Sequence, residues 1–456
     1  MNRLFLDNSI GEILAKIDAN EITKESVLSA ATENITASDA QYLAWECYQD
    51  KNWKAPELRA AMDYAPMNTE GLLRHIPIGV KDIYNTHDFP TEMGSALWRG
   101  FTPGNDARAV YNLKHQGAVV VGKTVTAEFA VHALEKTKNP WDETRTPGTS
   151  SSGSAVAISL GQVPLATGTQ TAGSIIRPAS FCGIYGMKPS FGLIPRTGML
   201  KTTDSLDTPG FFTIHQSDLR RAFDSMCIKG KDYPISNVAL TDNTRQKKPR
   251  EKVWRVGFVR SHTWSETPAY AKDAIEKYTK NLSALDGVEV IDVTLPTIME
   301  RSHIVHETIY NKALSYYFQN EYKQAEQISP VMNDLIKKGN SISVNEYQGA
   351  IKDQMDMIYT IDDFFNNFDI LISLSTAGEA PLREVTELPD PALMWTLTHL
   401  PAVSVPQFSS PTGLPFGMQV VARKYNDYLL FDFLDYLCNN SLIPKKAGYA
   451  ISSSQK

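Results

Sequence analysis

The tightest constraint on this chain lies between Arg145 and Ser190, where small residues crowd a stretch reading RTPGTSSSGSAVAISLGQVPLATGTQTAGSIIRPASFCGIYGMKPS. Glycine and serine from Gly148 to Ser154 favour tight turns with exposed hydroxyls over any regular element. Ala155, Val156, Ala157, Ile158 and Leu160 then form a short apolar run that starts a buried helix. The serine loop therefore sits at a helix N-terminus with free backbone donors. Gly161 ends that helix, Val163 to Thr169 suits a buried strand, and Thr171-Ala172-Gly173-Ser174 makes a small-residue turn ahead of Ile175 and Ile176. Such a turn leaves Ser174 facing open backbone N–H groups.

Acyl transfer needs that arrangement, because the tetrahedral intermediate develops an oxyanion that preorganised donors must meet. A serine hydroxyl also needs a base to take its proton, and the stretch contains no histidine. Upstream, Pro77-Ile78-Gly79-Val80-Lys81-Asp82 places a lysine at the end of a segment that reads as a central strand. Burial lowers the pKa of a lysine, and a neutral lysine can act as the base. Asp82 would raise that pKa, but adjacent strand residues point to opposite faces.

These residues resemble the amidase signature family, whose members hydrolyse amide bonds with a Ser-Ser-Lys triad. The resemblance rests on GVKD around Lys81, PGTSSSGSA from Pro147, GTQTAGSIIRPASFCG from Gly168 and MKPS from Met187. It extends to GAVVVGKT from Gly117, GEAP from Gly378, WTLTHLPAVSVP from Trp395 and GLPFGMQVV from Gly413. It implies one large α/β domain, three-layer α/β/α with a large mixed central sheet. Carried over position by position, it implies Lys81 as general base, Ser150 as the bridging serine with a cis peptide, and Ser174 as nucleophile. The N–H groups of Thr171, Ala172, Gly173 and Ser174 become the oxyanion hole, and Arg177, Thr149, Gln170 and Ser151 are the substrate-binding candidates. The chain departs from the family pattern where Thr149 and Ser152 replace glycine and Gln170 replaces aspartate. Arg177 follows Ser174 by one helical turn, a spacing that resembles the branch including malonamidase, and it suits a clamp on a carboxylate-bearing amide. Its other reading is an ion pair that holds the loop.

With 456 residues, 42% apolar and 21% charged, the chain has ample material for a large core. A net charge of −6 gives no sign of a nucleic-acid partner. The basic run Thr241 to Lys252 reads as a solvated connection. No stretch suits a signal peptide or a membrane span, so a cytoplasmic protein without a membrane partner is expected. Cys47, Cys182, Cys227 and Cys438 form no CxxC pair, which favours buried free thiols over a disulfide framework or a zinc site. No cofactor and no metal are expected, the partner is a small-molecule amide, and a homodimer is left open.

Four stretches organise the single domain. Residues 1–67 form a helical segment wrapping the core, opened by a capping box at Ser9 to Glu12 and with more helix from Ser26. Residues 68–240 are the catalytic core, residues 241–368 a variable, helix-rich region that shapes the substrate pocket, and residues 369–456 complete the sheet. Asp106 is expected to cap a helix through Leu113, and Gly117 to close it. Further helices are expected over 269–285 and 428–437, and another capping box at Ser343 to Glu346. Strands are expected over 118–121, 254–259, 288–293, 369–374, 398–405 and 415–421. Gly117 to Thr124 satisfies GxxxxGK[ST], but the residues between the glycines are themselves a strand, so no phosphate loop is expected. Asp204, Ser205 and Asp207 either cap turns or reach a substrate. His75 and His132 lie nearest the site in sequence and read as structural. Tyr310, Tyr316, Tyr317, Tyr322, Tyr347 and Tyr359 read as core.

The function expected is hydrolysis of a small amide, with an acidic one in view, through an acyl-Ser174 intermediate that releases ammonia or an amine. The alternatives are the ammonia-generating component of a glutamine-dependent tRNA amidotransferase, an acyl transferase to an amine or hydroxylamine, and an inactive scaffold on the same fold.

Overall fold

In the computed structural model, which describes residues 2–49, 70–228, 253–385, 387–388 and 390–448, the short apolar segments become strands of a single sheet. They are β1 (Trp45–Tyr48), β2 (Pro77–Lys81), β3 (Val119–Thr124), β4 (Leu165–Gln170), β5 (Tyr185–Lys188), β6 (Thr208–Thr213), β7 (Trp254–Val259), β8 (Val288–Val293), β9 (Ile370–Leu374), β10 (Ala402–Ser409) and β11 (Pro415–Ala422). The 11 strands lie in the order β1-β3-β2-β4-β6-β5-β10-β11-β9-β7-β8. β2 runs parallel to β3 and β4, and β7 parallel to β8 and β9. The neighbours between β4 and β9 pair antiparallel. Helices cover both faces, which makes the three-layer single domain expected of the chain. Burial on two faces explains why β2, β4, β5, β6, β9 and β11 are buried at every residue.

The capping boxes at Ser9 and Ser343 both form. The N-terminal segment does more than wrap the core, because β1 follows the helix Lys24–Tyr42 and pairs antiparallel with β3 at the sheet edge. The helix Ser152–Ser159 is buried at every residue, as the small-residue run requires. It approaches so closely that a Cβ on Gly153 would lie 2.3 Å from the Ala44 carbonyl oxygen, and only glycine permits that approach.

Several expectations need correction. Asp106 does not cap the helix Arg108–His115, whose N-cap is Ala107. Its carboxylate receives the His87 N–H and the Lys114 ammonium instead. The strand expected over 398–405 starts at Ala402, because Leu393–Leu397 is helix and His399 takes a left-handed φ of 66°. Tyr316 and Tyr359 are exposed, so they are not core. The GxxxxGK[ST] match lies largely in β3, where buried Lys123 pairs with Asp82 at 2.9 Å and donates to the carbonyls of Tyr84 and Pro90. Cys182, Cys227 and Cys438 are buried free thiols and Cys47 is partly buried. No helix among the described residues is long and apolar enough to cross a membrane. The basic run Thr241 to Lys252 lies outside the described residues.

Candidate active site

Lys81 ends β2 and Gln170 ends the parallel neighbour β4. Both therefore emerge at the carboxyl edge of the parallel strands, where open α/β sheets build their sites. Lys81 is fully buried, and its Nζ lies 2.8 Å from Ser150 Oγ, 2.9 Å from Ser151 Oγ and 2.8 Å from Thr169 Oγ1. Burial drives its pKa well below the ordinary amine value, opposed by the charge of Asp207. Hydroxyls can donate or accept, so three of them satisfy the amine in either protonation state. Asp82 does not offset this effect, since its carboxylate is committed to Lys123. The peptide bond between Thr149 and Ser150 is cis.

Ser174 follows in the turn after β4 and is 7% exposed. Among the described residues, no hydrogen bond joins Ser150 Oγ to Ser174 Oγ. Three carbonyls of the turn are held by other parts of the chain. His306 Nε2 meets the Thr171 oxygen at 2.8 Å, Thr396 Oγ1 donates to the Ala172 oxygen at 2.7 Å, and Arg177 N donates to the Gly173 oxygen at 2.9 Å. Burial pushes the His306 pKa down to about 4, so the ring is neutral and its Nε2–H donates to the carbonyl. Asp207 completes the frame by accepting from the hydroxyls of Thr171, Thr202 and Thr203 and from the N–H groups of Thr202 and Thr203. Among the described residues, the N–H groups of Thr171, Ala172, Gly173 and Ser174 have no protein acceptor. Four donors therefore remain for a ligand oxygen, which is what an oxyanion needs.

The substrate-binding candidates are placed differently from expectation. Ser151 is buried on Lys81 and on the Thr169 backbone, so it cradles the Lys81 amine. Gln170 is buried as well. Its Oε1 receives the N–H groups of Ile175 and Ile176 at 2.8 and 2.9 Å, and its Nε2 donates to Thr396 Oγ1. It thus caps the backbone that follows Ser174. The Thr149 carbonyl accepts from Arg177 Nη2 at 2.9 Å. Arg177 itself is 6% exposed, with Nε 3.1 Å from a Glu387 oxygen and Nη1 3.1 Å from Asp390 Oδ2. Two carboxylates of the chain thus pair with the guanidinium, the arrangement that the ion-pair reading describes. His132 sits 3.4 Å from Glu387, and the charge of Arg177 pushes its pKa down to about 3. Asp390 also presses on the turn that carries Ser174, for a Cβ on Gly173 would fall 1.4 Å from its Oδ2.

Sequence reasoning did not single out Thr169, His306, Thr396, Glu387 or Asp390. A buried arginine beside small residues was a signal that anions had to meet it from elsewhere. Among the described residues, no group of three or more His, Cys, Asp or Glu side chains is placed to hold a metal ion.

The family profile described as Amidase matches residues 26–431. The chain is 28% identical to the A-type subunit of the glutamyl-tRNA(Gln) amidotransferase of Rhodopirellula baltica, over 91% of this chain and 93% of that one. It is also 28% identical to a Mycobacterium bovis chain bearing the name putative amidase AmiD, over 92% and 91% of the two. The native peptide amidase of Stenotrophomonas maltophilia shares the fold with a TM-score of 0.81 at 22% identity, covering 98% of this chain and 99% of that one.

Proposed function

The chain belongs to the amidase family, hydrolases acting on C–N bonds, and from that membership we propose that it cleaves a small amide through an acyl-enzyme on Ser174. The observation that carries the reading is the Lys81 amine, shut away from solvent and 2.8 Å from Ser150 Oγ. As Ser174 Oγ attacks the carbonyl carbon, its proton passes to Ser150 Oγ while the Ser150 proton passes to Lys81. The carbonyl electron pair becomes an oxyanion facing the N–H groups of the Thr171–Ser174 turn. Collapse of the intermediate breaks the C–N bond, and the proton returns through Ser150 to the leaving nitrogen. Water then repeats the sequence on the ester, releasing the acid and restoring Ser174. Ammonia leaves from a primary amide and an amine from a secondary one.

The substrate is an uncharged or cationic amide, because Glu387 and Asp390 already satisfy Arg177 and a third carboxylate would meet net negative charge. Ammonia release from a panel of small mono- and diamides tests the reading. Activity should disappear in Ser174→Ala, together with labelling by a fluorophosphonate probe. Activity that survives Ser174→Ala would end it.

A second reading, the ammonia-generating component of a tRNA amidotransferase, draws support from the similarity to the Rhodopirellula baltica protein. Glutaminase activity that appears only with added partner proteins would favour it.

A further inference from the structure

Arg177 also forms one wall of a second space. A cavity of about 370 Å³ runs from Arg177 along the helix Ile176–Cys182 to Phe181 and is enclosed by Tyr270, Val385, Leu388 and Pro391. Its size is that of a small-molecule site. Ser174 does not line it, but Asp390 does, and the Asp390 carboxylate rests on Gly173 beside the nucleophile. The cavity therefore opens next to the reacting centre.

Three features decide what it can hold. The walls away from Arg177 are mostly rings and aliphatic side chains. The charged groups along it are already matched: Arg177 meets Glu387 and Asp390, and Glu379 meets Arg145 at 3.2 Å. The mouth exposes apolar side chains to water, with Val385 at 53% and Leu388 at 45%. Apolar surface gathered at the rim of an apolar cavity marks a place where an apolar group enters.

We propose that this cavity receives an uncharged apolar substituent of the substrate, an aryl or branched aliphatic group, so that the enzyme selects such amides over short and anionic ones. The proposal rests on the reading of Ser174 as nucleophile, and the experiment below separates the two.

The full chain is assayed for ammonia release from acetamide, butyramide, hexanamide, 4-phenylbutyramide and succinamate. We expect kcat/KM to climb roughly four-fold per added methylene and succinamate to fall below butyramide. Val385→Asp and Leu388→Asp alter exposed positions, where substitution disturbs stability little. Each should lower the ratio of kcat/KM for 4-phenylbutyramide over acetamide by about ten-fold or more. A flat series, or a ratio unchanged in both variants, overturns the proposal. Calorimetric binding of 4-phenylbutyramide to Ser174→Ala protein gives a readout free of turnover. Binding that a second Leu388→Asp change weakens supports the cavity even if the wild type is inactive, and inactivity would then count against the nucleophile alone. Absence of binding overturns the cavity.

Discussion

Asp390 Oδ2 lies against the Cα of Gly173, in the space a Cβ there would occupy. The same oxygen pairs with Arg177 Nη1 at 3.1 Å. A methyl group at position 173 must displace the carboxylate or move the turn that presents Ser174. Gly173→Ala should lower kcat by roughly a hundred-fold, the cost of misplacing reacting atoms by about 1 Å. Steady-state kinetics on a neutral amide checks this.

Lys81→Met removes the proposed base while keeping the volume of the buried stem. General-base catalysis contributes about 10²–10⁴-fold, so kcat/KM should fall within that range and fluorophosphonate labelling of Ser174 should slow in parallel. Thr169→Val deletes one of the three hydroxyls on Nζ and should cost less, about ten-fold. Equal losses in the two variants would mean that the hydroxyl cradle, and not the amine, is the essential element.

The pH profile carries a sign that can be tested. The amine form is the reactive one, so kcat/KM should rise with pH through the Lys81 pKa, at a pH well below the usual lysine range because burial disfavours the ammonium. The Asp207 charge favours the ammonium and raises that pKa. Asp207→Asn should therefore move the rising limb to lower pH, whatever it does to the plateau by loosening Thr171. His306, held at about 4, stays neutral across the measured range and adds no second limb. A limb that moves to higher pH in Asp207→Asn would remove Lys81 from the role of base.

Arg177→Ala leaves Glu387 and Asp390 buried without their cation. Breaking a buried pair by removing one partner costs about 3–5 kcal/mol, so the melting temperature should drop. Rates on neutral and acidic amides should fall together. A loss confined to acidic amides would reinstate Arg177 as a carboxylate clamp.

Thr396→Val frees the Ala172 carbonyl, and His306→Ala frees that of Thr171. His306→Ala loses one hydrogen bond, worth about 1 kcal/mol, and Thr396→Val also loses the acceptor of Gln170 Nε2. The loss should appear as a five- to ten-fold lower kcat with KM nearly unchanged, since about 1.4 kcal/mol is ten-fold in rate. Parallel increases in KM would point to general loosening of the pocket instead.

The lysine, the serines and the turn were legible in sequence because each sits in a distinctive local pattern, and most of the sheet because its strands are short apolar runs, whereas β1, β5 and β6 were not expected. The anchors of the turn were not legible either. His306 and Thr396 reach it across 135 and 224 residues of chain, Asp390 meets Arg177 across 213, and no local period encodes such contacts. Arg177 shows the same limit, for its position beside Ser174 suited a substrate clamp and an ion pair alike, and its partners Glu387 and Asp390 come from the far end of the chain. Asp106 failed as a cap for a related reason. A lysine eight residues away, and the His87 N–H, competed for its carboxylate.

Lys81 and Thr169 are pinned by β2 and β4, whose backbone ladder cannot shift by fractions of a residue. The proposed selection surface is carried by Val385 and Leu388, outside that ladder. Exchange of those two side chains alone therefore offers a route to altered selectivity, with Asp390 and the Gly173 turn that it rests on left in place.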